Sequence, residues 1–227
     1  MIEQAPILIT GAARSGAGMI AGVIHKCGAF GGIMTNKRGL YENDCIRESI
    51  VKEYLKQDGS DPNGQRILPD TTAMLIPRYW KKKVEEVMLA EGYKSGPWMY
   101  KDARIALMWP IWFYAFPNAK WLIVRRRTGD IIQSCLKTNY MDAYETEDGW
   151  LEWVHHYEQR FVEMMNEGVN VKVIWPERMV NGDYQQLQET LNWLGLPWKS
   201  EIFNFIDPLL WSSRKKKGVE NGATSIN

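Results

Sequence analysis

The feature that most constrains this chain is a glycine loop held between a strand and a helix. Residues 6–10 (PILIT) form a short apolar run that breaks into Gly11-Ala12-Ala13-Arg14-Ser15-Gly16. Beyond it, Met19, Ile20, Val23 and Ile24 recur at the spacing of one helical face. Strand, tight loop and helix in that order point to a helix packed back onto a largely parallel sheet. Gly11 and Gly16 let the backbone curl so that successive N–H groups point at one anion, and the helix adds its positive end. A magnesium-dependent nucleotide loop continues past its second glycine with Lys and then Ser or Thr. Here Ala17 and Gly18 stand in those places, and the cation is Arg14, inside the loop. That disfavours a magnesium-dependent kinase or nucleotide hydrolase. A purely structural turn has the same outline, so the loop has to be weighed with its surroundings.

Three more short apolar runs follow: residues 97–100 ending at Lys101-Asp102, residues 121–124 running into Arg125-Arg126-Arg127, and residues 171–175. Helical patterning is read over 42–57, 77–91, 103–116, 130–137, 148–166 and 184–194, the last closed by Gly195. Pro110 either kinks the helix over 103–116 or marks its first turn. Strands alternating with helices predict an α/β chain: a three-layer, P-loop-type fold with a central, mainly parallel β-sheet flanked by helices. A length of 227 residues with 45% hydrophobic content suits one domain, read as 1–212, with a basic, partly disordered tail over 213–227. In such sheets ligands gather outside the carboxyl ends of the strands. The loop at 11–18, Lys101-Asp102 and the three arginines all follow strand ends and should meet at one edge.

A formal net charge of +1 gives no global attraction to nucleic acid or membrane, so any anion site must be a local cluster. Three cysteines without a CxxC pair, and three histidines, offer neither a disulfide framework nor a zinc site. No apolar stretch reaches membrane-spanning length, and the first strand is too short for a signal-peptide core. A soluble, cytoplasmic chain without nucleic-acid or membrane partners is expected. The eleven tryptophans and ten tyrosines serve either core packing or a ligand pocket.

The arginine run supplies the second cluster. In Arg126-Arg127-Thr128-Gly129-Asp130-Ile131-Ile132-Gln133-Ser134, Asp130 stands where it can cap a helix, and Ser134 lies one turn later on the same side. This segment resembles the RxPxDxxxS pattern of sulfotransferases, with Thr128 in the proline position. Gly11 to Gly16 resembles the 5′-phosphosulfate loop of the same family, written GxxRSGT, with Ala17 and Gly18 replacing the hydroxyl residues. Asn36-Lys37-Arg38-Gly39-Leu40-Tyr41-Glu42 resembles the NPRGYFE segment of a bacterial branch. Trp98 to Arg104 resembles that branch's wKDPR segment, and Phe116 to Trp121 its fPdAk lead-in. The similarity runs in order over residues 7–137 and continues faintly at 175–179 and 193–197.

The resemblance implies a donor, 3′-phosphoadenosine 5′-phosphosulfate (PAPS), a product, 3′-phosphoadenosine 5′-phosphate (PAP), and no metal. It assigns the phosphosulfate to Gly11, Ala13, Arg14, Ser15, Gly16, Ala17, Gly18 and Met19, and the 3′-phosphate to Arg126 and Ser134. Trp175 either faces the adenine or packs in the core. Arg214, in the basic run 214–218, either closes over the 3′-phosphate or is simply solvated. Sulfuryl transfer also needs positive charge over the bridging oxygen and a base for the acceptor's proton. Arg14 suits the first role. Glu42 suits the second, although a glutamate at a helix N-terminus also has a purely structural use. Lys101 is a further cation near the sulfonate or a strand-end lysine. Asp102 is an alternative base, or the group that orients Lys101 or Arg104. The acceptor is a small molecule or carbohydrate bearing a hydroxyl or amine, with segments 29–40, 58–77 and 138–150 as loops around the site. Two other classes compete: a small-molecule kinase, and a non-catalytic PAP- or nucleotide-binding protein, the latter suggested by Ala17 and Gly18.

Overall fold

The computed structural model describes residues 1–35 and 40–206. Ile7–Thr10 forms β1, and all four residues are buried. Its apolar run is continuous because both faces of the strand are covered. The chain turns through the glycine loop into α1 (Ala17–Lys26) and then a short antiparallel hairpin, β2 (Met34–Thr35) with β3 (Glu42–Asn43). From there α2 (Asp44–Ile46), a π-helical turn (Arg47–Val51) and α3 (Lys52–Gln57) run on without a break. After α4 (Trp80–Ala90) come β4 (Met99–Lys101), α5 (Arg104–Leu107), α6 (Trp109–Ala115), β5 (Lys120–Val124), α7 (Thr128–Leu136) and α8 (Glu147–Asn166). The chain continues through β6 (Val171–Ile174), α9 (Pro176–Val180), α10 (Gln185–Leu194) and α11 (Glu201–Phe205).

The four longer-range strands pair in the order β4-β1-β5-β6, all parallel. Ile9 stands opposite both Lys101 and Leu122, which puts the residues after β1, β4 and β5 side by side. Side chains alternate across the sheet. Leu8, Tyr100, Trp121 and Ile123 pack in a core with α4 to α8, whereas Ile7, Ile9, Met99, Leu122 and Val124 pack with α1, α9, α10 and α11. Helix, sheet, helix is the three-layer α/β arrangement expected. Trp80, Trp98, Trp112, Trp121, Trp150 and Trp153 are fully buried, which settles those six as core.

The elements differ from expectation in several places. The helix anticipated from residue 42 starts instead at Asp44, because Glu42 and Asn43 pair with β2 and the Asn43 side chain accepts the Ile46 N–H at 2.9 Å as a cap. The helix over 103–116 is split at Met108 (φ −126°, ψ 33°), and Pro110 falls in the first turn of α6, where its missing N–H has no partner to lose. The helices α9 and α11 were not anticipated. Gly195 does close α10, in the left-handed region at φ 78°. The basic tail with Arg214, and residues 36–39, lie outside the described residues. Among the described residues no helix is long and apolar enough to cross a membrane.

Candidate functional site

Gly11 follows β1 directly and is hemmed in by β5. A Cβ there would lie 2.3 Å from the Val124 carbonyl oxygen and 2.6 Å from Ser15 Oγ, so only glycine fits. The loop then bends through two left-handed residues, Arg14 (φ 72°) and Gly16 (φ 93°), the second being the residue before α1. The Met19 and Ile20 N–H groups donate back to the Gly16 carbonyl at 3.0 and 3.3 Å, opening the helical ladder. The N–H groups of Ala17 and Gly18 therefore precede that ladder at the positive end of the helix. Ser15 is 1% exposed, and its Oγ has no hydrogen-bond partner in the described structure.

The arginine turn comes up against this loop. Arg126 Nη1 donates to the Arg14 carbonyl at 3.0 Å. Arg14 Nε donates to Ser134 Oγ at 2.9 Å and its Nη1 to the Tyr140 hydroxyl at 2.9 Å. Arg14, Arg126 and Ser134 thus form one continuous cluster between β1 and β5. Burial lowers the Arg126 pKa from its ordinary value, with Asp130 and Glu177 opposing and Arg14 adding to the depression. Burial pushes the neighbouring Cys135 thiol up to about 12, so it stays protonated. Asp130 does not cap α7 with its side chain as anticipated; it sits in the first turn. Arg125 pairs with Glu158 and lies 5.3 Å from the Trp175 ring centre, which is where Trp175 finds itself.

A second, denser cluster gathers where β3 meets β4. Lys101 Nζ donates to Glu42 Oε1 at 2.7 Å, and both residues are 7% exposed. Glu42 Oε2 accepts from Arg47 at 3.3 Å and from Arg104 at 3.5 Å. Asp102, wholly buried, binds Arg104 through both oxygens at 2.8 Å and accepts the Tyr100 hydroxyl at 2.9 Å. Burial acts to raise the Asp102 carboxyl, but the Arg104 guanidinium, its hydrogen bonds and Lys101 override it and hold the group below the usual carboxylate range. The Asp102 N–H donates to the Ile9 carbonyl at 3.1 Å, and Thr10 Oγ1 donates to the Ala103 carbonyl at 3.2 Å. These two bonds join the Lys101-Asp102 turn to the strand end that opens the glycine loop.

The sequence-derived site residues Gly11, Ala13, Arg14, Ser15, Gly16, Ala17, Gly18, Met19, Arg126, Ser134, Glu42 and Lys101 all follow or flank the carboxyl ends of β1, β4 and β5. Trp175 follows β6, one strand further out, and Arg214 lies outside the described residues. Sequence reasoning missed Tyr140 and Arg47. Tyr140 reaches Arg14 from a loop fixed by Gln65, whose side chain donates to the Tyr140 carbonyl at 2.8 Å and accepts the Asp142 N–H at 3.1 Å. No local pattern could have announced a contact spanning so much chain. Arg47 reaches Glu42 only because the chain changes from strand to helix at Asn43. Among the described residues no group of three or more His, Cys, Asp or Glu side chains could hold a metal.

No family model and no curated protein matches the chain. Solved structures do. Sulfotransferase STF1 from Mycobacterium tuberculosis H37Rv aligns over 91% of this chain and 71% of its own, with TM-score 0.52 and 12% identity. The sulfotransferase domain from the curacin biosynthetic pathway aligns over 91% and 79%, with TM-score 0.56 and 14% identity. The sulfotransferase domain from the Synechococcus PCC 7002 olefin synthase aligns over 96% and 90%, with TM-score 0.55 and 15% identity. At these identities the shared property is the fold. The chain has the α/β fold of sulfotransferases.

Proposed function

We propose that the chain is a sulfotransferase that uses PAPS as donor, delivers the sulfuryl group to a hydroxyl or amine of a small molecule or carbohydrate, and releases PAP. The observation that carries this reading is the contact of the glycine loop with the arginine turn: Arg126 donates to the Arg14 carbonyl, and Arg14 reaches Ser134. A nucleotide with a single phosphate cluster would need only the loop; a 3′-phosphate gives Arg126 and Ser134 a ligand as well. The residues fit such a group. The Ala17 and Gly18 N–H groups stand at a helix N-terminus, and the Ser15 hydroxyl is buried without a partner.

When bound, the donor supplies a sulfur whose bond to the 5′-phosphate oxygen breaks as the acceptor's oxygen or nitrogen bonds to it. In this reading Ser15 and the loop N–H groups hold the phosphosulfate, and Arg14 neutralises the charge growing on the bridging oxygen. Arg126 and Ser134 hold the 3′-phosphate, Glu42 takes the acceptor's proton, and Lys101 fixes Glu42. Arg126→Ala is expected to weaken PAP binding about tenfold or more while changing AMP binding little, measured by calorimetric titration. Equal losses for PAP and AMP would remove the 3′-phosphate assignment. Titration with ATP and magnesium in parallel separates the kinase reading. PAP binding without transfer to any acceptor would leave a nucleotide-binding protein.

A further inference from the structure

Resting on the sulfuryl transfer proposed above, we infer that Arg104, clamped by Asp102, which the Tyr100 hydroxyl in turn bonds, is a positioning residue that holds Glu42 with its Oε2 oxygen ready to receive the acceptor's proton.

Of the two Glu42 carboxylate oxygens, Oε2 has the longer contacts. Glu42 Oε1 is taken by Lys101 at 2.7 Å, a full charge-assisted hydrogen bond. Oε2 has only long contacts, 3.3 Å to Arg47 and 3.5 Å to Arg104. Both are weak enough to give way to an incoming acceptor group, whereas the Lys101 bond is not. Asp102 has no such weakly held oxygen. Its Oδ1 accepts from the Arg104 N–H at 2.9 Å and from Arg104 Nε at 2.8 Å, and its Oδ2 from Arg104 Nη2 at 2.8 Å and the Tyr100 hydroxyl at 2.9 Å. That excludes Asp102 as the base and explains what it does. The two-pronged bond fixes the plane of the guanidinium, and the same Nη2 that meets Asp102 faces Glu42. Arg47 is the nearer contact, but its partners Asp44 and Glu48, at 2.6 and 2.8 Å, have half-exposed side chains, whereas Arg104 is anchored on the wholly buried Asp102. In the reaction the acceptor's O–H or N–H bond breaks with its proton passing to Oε2. The freed electron pair bonds to sulfur, and the sulfur–oxygen bond to the nucleotide breaks with its pair leaving on PAP.

Release of PAP from PAPS with water as acceptor reads this out without the natural acceptor, alongside PAP affinity by calorimetry. Arg104→Lys keeps the charge and loses the fork. It is expected to lower kcat about tenfold or more while the KM for PAPS and the Kd for PAP stay within about twofold. Placed on Glu42→Gln, it should add no further loss, since Arg104 acts only through Glu42. Tyr100→Phe, which removes one bond to Asp102 and little packing, should lower kcat by about two- to fivefold with the same unchanged KM, and stands in if Arg104→Lys does not fold. An unchanged kcat in the folded variant, or a full additional loss on Glu42→Gln, overturns the inference. A wild-type chain that binds no PAP overturns the donor assignment itself. One that binds PAP but never releases it from PAPS overturns the inference and the catalytic reading while leaving the donor site in place.

Discussion

Ser15 has a hydroxyl that the protein itself does not use. It is 1% exposed with no hydrogen-bond partner, and a buried polar group left that way costs about 1–3 kcal/mol. A ligand oxygen in the glycine loop would recover that cost, so Ser15→Ala should separate binding from stability. PAP affinity is expected to fall about tenfold, as for a bond to a charged group. The free energy of unfolding in urea should not fall and should rise by up to about 1–3 kcal/mol, because the unpaired hydroxyl is removed and no intramolecular bond is lost. Undiminished PAP affinity would mean that the hydroxyl does not face the ligand. At this scale the candidate site was legible wherever spacing is local. Gly11, Arg14, Ser15 and Gly16 lie in one loop, and Arg126 and Ser134 in one strand-to-helix turn. Tyr140 and Gln65 were not legible, since each reaches the cluster from a loop distant in sequence and carries no pattern of its own.

The long-range strands announced themselves because a strand buried on both faces must be a continuous apolar run, as in β1 and β5. The hairpin of β2 and β3 did not, because its strands are two residues each and its stability comes from outside. Glu91, which follows α4, accepts the Ile33 N–H at 2.7 Å and the Asn43 side-chain amide at 2.6 Å. Asn43 also donates to the Gly31 carbonyl at 3.2 Å and caps α2 through the Ile46 N–H. One side chain thus holds the loop, the strand that presents Glu42 and the helix behind it. Asn43→Ala is expected to cost about 2 kcal/mol or more, since the bonds to Glu91 and Gly31 go with the cap, measured by urea unfolding. The same variant should lose PAPS turnover while keeping PAP affinity, since the hairpin carries Glu42 and the donor loop is elsewhere. Full turnover in a destabilised variant would separate the hairpin from the chemistry.

Across the whole molecule, the parallel sheet brings the ends of β1, β4 and β5 together, and the charges gathered there tie stability to pH. The Asp102 carboxyl is held below its ordinary value of 3.8: burial opposes this, and Arg104 with its hydrogen bonds outweighs burial. Asp61 is likewise held low, its partial burial outweighed by the N–H groups of Asn63, Arg66 and Gln65. A carboxyl depressed in the folded chain stabilises it at pH above the unfolded value, and that contribution is lost as pH falls through the folded value. The thermal midpoint should therefore be nearly flat from neutrality to about pH 5 and fall progressively below about pH 4. Asp102→Asn should start from a lower midpoint at pH 7, because Arg104 loses its charged partner inside the protein, and should then show a shallower acid decline. Asp102 links to Ile9 through its N–H and to Glu42 through Arg104, so PAP binding and near-ultraviolet dichroism should be lost together in the wild-type chain. A site that failed well before the fold would show that this buried network is not what joins them.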